Sequence, residues 1–493
     1  MIRLTLFSLI CNIFIAEKSL AQPSFYIDAE MRNAYQKALM LDLAEAYNII
    51  KEYKNPNNYA RILIHDFCNF VMLFVYEKKE DYDKLKVQKK LRLETIRKSG
   101  LEEQWRNFIQ AEILLHWALI QLKNNDNFQA FSDVKEAIDL LEYNKKKYGN
   151  FIYTYKSIGI VHALLGTIPG EFGWISRLAG YEGSINLGKN EIRKFIDYAE
   201  PGNDIFLTEA LASLAFINSY LENKTQEAAA FWKNKKLNTQ EGPLLKMLSI
   251  RILQRGADAE SVRIITDNLT NKEKIQFPLL YYLSGLQKLQ NLDIAGSNEL
   301  IIFLSKHQGI NYIKEAWQKV AWSKLLSGDR EGYKKCMDRC LDQGYLITDE
   351  DKAAYLDASK HVEPDIYLLK ARLLFDGGHY TRGYHLLSTR PLDSFHPEDL
   401  PEYRYRMGRI CQLLEQNNEA ISYYRDIIDG AYQENKDFQC QAILFTGNIL
   451  EKEGKQIEAC MYYKKVLRMD PPQYGRSLHH KAMSGLDRLG CTK

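Results

Sequence analysis

One pattern of small and aromatic residues occurs twice near the C-terminus and constrains the fold more than any other feature of the chain. In the second copy, Gly447 is followed twelve residues later by Ala459 and then by Tyr463. The first copy has the same spacing from Gly408 to Ala420. Two helices approach closely where both carry a small residue, and larger side chains interlock around that point. The pattern therefore predicts two helical hairpins, with Gly447 in contact with Ala459.

A third copy precedes these two, with Pro364 as its first position and Ala371 as its small residue. The copies start at residues 364, 401 and 440, which gives periods of 37 and 39 residues. In the last copy, Pro471 ends the second helix because proline excludes helical geometry from the residue before it. These features resemble the tetratricopeptide repeat, a helix–turn–helix unit of about 34 residues that stacks into a superhelix. The resemblance implies a concave face that holds an extended peptide or another protein.

Most of the remaining chain is typical of helices separated by short polar turns, with only 12 prolines in 493 residues. We therefore predict an all-α fold, an α-solenoid of helical hairpins. The expected regions are a signal peptide at 1–21, an N-terminal helical-repeat region at 22–200 with a glycine-rich insertion at 164–188, degenerate repeats at 201–363, and C-terminal repeats at 364–493 with a capping helix at 477–489.

The glycine-rich insertion lacks the features of a phosphate site, because it contains no GxGxxG, GKS or GKT and follows no predicted strand. We interpret its glycines as sites of tight turns and close packing around a short helix with Trp174 and Leu178. The segment up to Tyr220 is similar to the eukaryotic tetratricopeptide family that includes inclusion-body clearance proteins, whose members carry a proline, a short helix and a glycine-bounded turn there. Since those relatives are intracellular, we carry over only the architecture.

The N-terminus has the layout of a cleaved secretory signal. Arg3 precedes an apolar run from Leu4 to Ala16, and small residues end the segment at Ala21. Cys11 follows Ile10 rather than a small residue, which argues against a lipoprotein. Later runs are too short or too charged for a membrane helix, so we expect an extracytoplasmic protein, in the periplasm, without an integral membrane span.

The charge balance argues against a nucleic-acid partner, because the chain contains 66 Lys and Arg residues and almost as many Asp and Glu residues, 63. The cysteines argue against a disulfide framework, because an odd and sparse set of seven remains once Cys11 is removed with the signal. Cys336 and Cys340 share a helix face, but no nearby histidine supports a zinc pair, and buried apolar cysteines are the favoured interpretation. We expect no metal and no cofactor.

The sequence contains no recognisable catalytic motif. His479 and His480 are adjacent and point to different helix faces, and neither HExxH nor a nucleophile elbow occurs. An acid pair assembled in space would escape detection in the sequence. We therefore predict no catalytic residues, and a deep cavity with two neighbouring groups of shifted pKa is the observation that would change this.

The candidate partner-binding residues occupy one position in three consecutive repeats. The resemblance implies that the residue after the small contact residue faces the concave side, and there the chain carries Arg372, Arg409 and Asn448. Tyr405 lies one turn before Arg409, and Lys452 one turn after Asn448. Arginine and asparagine offer planar donors that suit carboxylates and backbone carbonyls. This ladder predicts an acidic or C-terminal peptide as partner, with Arg372→Glu and Arg409→Glu abolishing binding while the fold survives.

Two alternatives stay open at this point. Asp376 or Glu402 could satisfy the two arginines internally, or solvent could, in which case the ladder is not a binding site. The chain could also be a helical-repeat subunit of an envelope assembly or, less favoured, an enzyme with a spatially assembled acid site. The favoured interpretation is a non-catalytic extracytoplasmic scaffold that binds a protein or peptide.

The signal pattern makes a direct prediction. Cleavage after Ala21 gives a mature protein that begins at Gln22, and an intact-mass measurement of the exported protein checks this. Exported protein that retains residues 1–21 would contradict it.

Overall fold

The computed structural model describes residues 22–124, 126–166, 181–199, 204–430, 435–472 and 475–491. Within these ranges the fold is all-α, without β-strands, as predicted, and Ser24 forms an isolated bridge with Asn58. None of the described helices is long and apolar enough to cross a membrane. The signal segment 1–21, Pro201-Gly202, and Trp174 and Leu178 of the glycine-rich insertion lie outside the described residues.

The N-terminal half consists of helices that pack mainly as consecutive antiparallel pairs. They are α1 (Ala29–Leu39), α2 (Leu43–Glu52), α3 (Ala60–Tyr76), α4 (Lys79–Arg97), α5 (Glu103–Lys123), α6 (Asn127–Lys147), α7 (Tyr153–Leu165), α8 (Ile185–Tyr198), α9 (Leu207–Phe216), which continues as a π-helical turn (Ile217–Leu221), α10 (Thr225–Asn234), α11 (Pro243–Arg255) and α12 (Ala259–Asp267).

The C-terminal half continues the same pairing. Its helices are α13 (Asn271–Gln276), α14 (Leu279–Gln290), α15 (Gly296–Lys306), α16 (Ile313–Leu326), α17 (Arg330–Asp342), α18 (Asp349–Ser359), α19 (Ile366–Asp376), α20 (Tyr380–Ser388), α21 (Leu400–Leu413), α22 (Asn417–Asp429), α23 (Lys436–Lys452), α24 (Gln456–Val466) and α25 (Gly475–Arg488).

The predicted hairpins near the C-terminus are confirmed, as α21 with α22 and α23 with α24. Gly454 forms the turn of the second hairpin with φ of 77°, a left-handed conformation that glycine adopts without steric cost. Ala459, Tyr463 and Val466 are buried on one face of α24 because they recur every three or four residues. The twelve-residue spacing thus predicted both of these hairpins correctly.

The nearest neighbours of Gly447 are aromatic side chains. The atoms nearest to a Cβ placed on Gly447 belong to the Tyr463 ring, at 2.9 Å, and to Tyr462 rather than to Ala459. Gly408 likewise faces the ring of Tyr424. The glycine makes room for an aromatic ring four residues beyond the small residue of the second helix, and the ring atoms Cδ1 and Cε1 lie nearest to it. The helix pairing was therefore predicted correctly, and the atoms nearest to Gly447 belong to residues three and four positions beyond Ala459.

Tyr463 joins the last repeat to the capping helix α25. One side of its ring lies against Gly447 and the other against Gly485, whose added Cβ would come within 2.7 Å of the ring carbon Cζ. Its hydroxyl shares its single hydrogen between the amide oxygen of Asn448, at 2.9 Å, and the carboxylate of Glu451. The expected capping residues Leu478, Ala482 and Leu486 are all buried at this junction. Aromatic packing between two glycines thus holds the final helix in place.

The degenerate repeats use close glycine contacts instead of glycine and tyrosine. An added Cβ on Gly285 of α14 would come within 2.7 Å of the carbonyl oxygen of Gly296, at the start of α15. Gly159 of α7 and Gly188 of α8 have the same relation, again at 2.7 Å. Together with Gly166 and Gly183, which also abut backbone, they confirm close packing as the role of the described glycines of the insertion.

One large apolar core runs from α1 to α19, and smaller clusters fill the interfaces of the last repeats. Buried ion pairs cross this core between hairpins. Arg92 donates to Asp66 at 2.9 Å, and Lys156 donates to Glu112 at 2.6 Å. Such pairs require a specific alignment of neighbouring helices, because a buried charge without its partner is costly.

The superhelix closes on itself through two contacts that are distant in sequence. Arg488 of α25 donates from Nη1 to the backbone oxygen of Glu222 at 3.0 Å, across 266 residues, and α25 also packs on α8 and the π-helical turn. At the other end, Glu77 after α3 accepts from the side chain of Asn311 at 2.9 Å. Both ends of the coil therefore touch its middle, a feature that the repeat pattern did not predict.

One disulfide, Cys460–Cys491, ties the residues after α25 to α24. The sequence analysis missed it because an odd number of cysteines does not reveal which two are close in space. Five other cysteines are free and buried, including Cys336 and Cys340, as predicted. No group of three metal-binding side chains occurs within the described ranges.

The packing of Tyr463 generates a stability prediction. Gly447→Leu and Gly485→Leu each place a side chain where the ring lies, and overpacking of this kind costs about 1–3 kcal/mol. Chemical denaturation measures the loss in the free energy of unfolding. Lys464→Leu on the exposed face of α24 is the matched control and should change little. Unfolding curves of both glycine variants that overlay the wild type would contradict this packing.

Candidate functional site

The five candidate residues lie on three neighbouring helices, as the repeat register requires. Arg372 is on α19, Tyr405 and Arg409 are on α21, and Asn448 and Lys452 are on α23. Helix α21 packs against both α19 and α23. The first helices of three consecutive repeats therefore form one continuous surface, here called the ladder face.

Arg409 occupies the centre of the ladder face and packs between aromatic rings of the neighbouring repeats. Its guanidinium carbon lies 3.5 Å from the ring centre of Phe445 and 5.2 Å from that of Phe375. Its Nη1 donates to Gln412 at 2.6 Å. Its Nε is buried and has no hydrogen-bond partner among the described residues. Arg409 is thus held rigidly by stacking while part of its donor capacity is unused.

Arg372 is held between a carboxylate and an aromatic ring. It donates to Asp357 at 3.3 Å, and its guanidinium carbon lies 4.6 Å from the ring centre of Trp322. About a fifth of its side chain is exposed, 22%. The pair is partly solvated and so holds the guanidinium only weakly. Arg372 therefore presents a positioned, water-accessible cation.

The three other candidate residues have different environments. Tyr405 is buried and donates to Gln441 at 2.5 Å. Asn448 accepts the hydroxyl hydrogen of Tyr463, and its amide group therefore also supports the repeat core. Lys452 is exposed and pairs with Glu415 at 3.2 Å. The structure thus brings Arg372, Tyr405 and Arg409 together and places Lys452 at the surface.

The internal partners of the two arginines differ from those considered in the sequence analysis. They are Asp357 and Gln412, whereas Glu402 pairs with Arg406 at 2.8 Å. Because Arg409 is stacked between two rings, Arg409→Glu would place a carboxylate against their negative faces. Charge reversal there perturbs the fold as well as any binding. Neutral substitutions of Arg372 and Asn448 are better tests.

A second basic group on α11 escaped the sequence analysis. Arg251 and Arg255 lie one helical turn apart, on one face of α11. The guanidinium carbon of Arg251 lies 5.1 Å from the ring centre of Tyr312, and that of Arg255 lies 4.2 Å from Tyr220. Arg255 also donates to the hydroxyl of Ser219 at 3.1 Å. This face of α11 therefore carries two cations fixed on aromatic rings.

Closure of the superhelix brings the C-terminal helix close to these arginines. Burial, together with the charges of Arg255 and Arg409, lowers the pKa of Lys481 to about 7. Two acidic residues, Asp349 and Glu350, act on it in the opposite direction. We call Arg251, Arg255 and Lys481 the inner basic cluster.

The inner basic cluster is surrounded by protein and still reaches water. Arg251, Arg255 and Lys481 are each partly exposed, and Glu350 is exposed. Burial and the Glu315 carboxylate nevertheless raise the pKa of Glu350. In the sequence, the spacing of four residues between Arg251 and Arg255 was the sign that the two arginines share one face of α11.

A separate cavity of about 660 Å³ lies between α1, α8, α9 and the start of α11. Tyr35 and Asp204 both line it, and burial raises the pKa of each. Tyr35 donates to Glu209 at 2.5 Å, and Asp204 accepts from the backbone N–H of Phe206 at 2.8 Å. Both groups are held by internal hydrogen bonds, and we assign no catalytic role to them.

Comparison with known families identifies the repeats. The tetratricopeptide repeat model matches residues 401–429 and 441–473, which correspond to the two hairpins described above. The chain is a tetratricopeptide-repeat protein. The narrower resemblance to the family of inclusion-body clearance proteins stays a prediction. No curated protein matches the sequence.

Solved structures of low similarity also align with this tetratricopeptide-repeat protein. A human IFIT1 dimer with m7Gppp-AAAA is 14% identical, with 91% of this chain and 98% of that chain aligned and a TM-score of 0.31. The APC/C hetero-tetramer Cut9-Hcn1 is 14% identical, with 90% and 87% aligned and a TM-score of 0.29. At these TM-scores neither structure bears on the function of this chain.

Proposed function

We propose that this tetratricopeptide-repeat protein is a non-catalytic, extracytoplasmic scaffold that binds a peptide segment of another protein on its ladder face. The observation that carries the proposal is the match of the tetratricopeptide repeat to α21–α24, since stacked repeats of this kind build extended concave binding surfaces. The ladder face begins on α19 and continues over the matched helices.

The chemistry of the ladder face supports an acidic or C-terminal peptide. Arg372 is accessible, Arg409 is held on the adjacent helix by stacking on Phe445, and Asn448 lies on the next helix. Aromatic stacking keeps Arg409 in one orientation, so that little side-chain entropy is lost on binding. A peptide carboxylate or backbone carbonyl can accept from these planar donors.

Two observations support an extracytoplasmic location, with the periplasm favoured. The N-terminal segment has the layout of a signal peptide, and Cys460 and Cys491 form a disulfide. Disulfides persist in oxidising compartments and are rare in the cytosol. The buried ion pairs and the free cysteines are compatible with both the periplasm and the cytosol.

A panel of immobilised acidic, neutral and amidated peptides tests the proposal. We expect the acidic peptides to bind, and their binding to weaken between about 50 and about 500 mM salt, because exposed charge pairs are screened. Arg372→Gln with Asn448→Ala should weaken binding about tenfold or more. Lys464→Gln, which removes an exposed charge outside the ladder face, should leave it unchanged.

Thermal unfolding of each variant shows whether the fold is intact. A wild-type protein that retains no acidic peptide would refute the proposal. An unchanged affinity of the double variant would move the binding surface away from the ladder face.

A further inference from the structure

The cavity of about 660 Å³ beside α1, here called the α1 cavity, is held open by two side-chain contacts. At one of them, the Tyr35 hydroxyl donates to Glu209 of α9 at 2.5 Å. At the other, Met40 meets the residue before α11, since a Cβ placed on Gly242 would come within 2.8 Å of the Met40 sulfur. Long side chains make both contacts, so that a gap remains between the backbone of α1 and the helices opposite.

Aliphatic side chains from four helices and the residue after α1 form most of the wall of the α1 cavity. Some of them remain partly exposed although they face the inside of the molecule, among them Leu39, Ile196 and Leu207. Water in such a space finds few hydrogen-bond partners, and an apolar ligand that covers the wall releases that water. The aliphatic lining residues are Leu39, Met40, Ile196, Ala199, Ile205, Leu207, Leu211 and Leu245.

The lining offers no open aromatic ring within the described part of the chain. Tyr35 is the aromatic residue of the lining, and its ring is stacked on Phe67 with the ring centres 4.5 Å apart. Only 3% of Tyr35 is exposed. A flat aromatic ligand would therefore find no ring face to stack on, whereas a flexible aliphatic chain requires none.

The charged side chains of the lining comprise two of each sign, Arg32 and Lys235 against Asp204 and Glu241. A charged group on a ligand would therefore meet a like charge as well as an opposite one. Asp204 already accepts the backbone N–H of Phe206 at 2.8 Å. Uncharged donors and acceptors are also present in the lining, on Gln36, Thr208 and Gln240. This combination favours a polar group without a net charge.

We propose that the α1 cavity binds a straight aliphatic chain that ends in an uncharged polar group such as a hydroxyl. The lining residues of α1 and its C-cap extend from Arg32 to Met40, which corresponds to about 12 Å of helix. A chain of medium length fits this span, and the volume lies within the range of small-ligand sites, about 300–1,000 Å³. The α1 cavity shares no residue with the ladder face, so this inference goes beyond the proposed function.

Calorimetric titration with four small molecules tests the chemistry of the ligand. We expect 1-decanol to bind the wild-type protein, with a binding enthalpy that becomes more negative as the temperature rises, because apolar surface is buried. Decanoate, decylamine and 2-naphthol should bind more weakly. Tighter binding of decanoate or decylamine would overturn the uncharged end, and tighter binding of 2-naphthol would overturn the aliphatic chain. Absence of decanol binding would overturn the site itself.

A cavity-filling substitution tests the location. Leu207→Trp places a large ring in the α1 cavity and should weaken decanol binding about tenfold or more, since the ring takes the space of the chain. Leu341→Trp on α17 is the matched control, because Leu341 is likewise partly exposed, packs against the same core and lies outside the cavity. It should bind decanol as the wild type does. Equal affinity of both variants would move the site elsewhere.

A measurement on the unmodified protein covers the case in which Leu207→Trp fails to fold. A ten-carbon alcohol that carries an aliphatic diazirine should, on irradiation, label peptides that contain Leu39 or Leu207, as measured by mass spectrometry. Excess decanol should reduce this labelling. Labelling that is spread evenly over the chain, or that decanol does not reduce, would overturn the inference. Acidic-peptide binding to the ladder face is measured separately, so either proposal can fail while the other stands.

Discussion

The guanidinium of Arg488 is the interaction on which the arrangement of the whole coil depends. It donates twice to Glu451 of the last repeat, at 2.8 Å each, and once to the backbone oxygen of Glu222 near the middle of the chain. A guanidinium donates to several acceptors at fixed angles. These hydrogen bonds therefore orient α25 relative to both the last repeat and the middle of the chain. The same helix would otherwise only cover the end of an open solenoid.

The position of α25 beside the middle of the chain follows from this closure. Lys481 belongs to α25, whereas Arg251 and Arg255 belong to α11. The three residues can therefore be neighbours only while α25 is docked on the middle of the chain. Tyr463, packed between Gly447 and Gly485, supports the closure from the side of the last repeat.

Local features of the fold could be predicted from the sequence, and distant contacts could not. The spacing from Gly447 to Ala459 revealed the hairpins, because small residues at helical intervals report the helix pairing directly. It did not reveal that the Tyr463 ring is the contact partner, which depends on the rotamer of a larger side chain. The bond between Arg488 and Glu222 and the disulfide Cys460–Cys491 were also missed, because both depend on how successive hairpins rotate relative to one another. The repeat register identified the helices that carry the ladder residues, but it did not show that Tyr405 is buried or that Asp357 pairs with Arg372.

The distance between α10 and α25 tests the closed superhelix most directly. Nitroxide labels attached through non-natural residues at the exposed positions Gln226 and Arg476 report it by double electron–electron resonance. The account predicts one narrow distance distribution centred on the separation seen in the structure. A broad distribution, or one centred on much longer distances, would show that α25 does not dock on the middle of the chain and would contradict the closed interior.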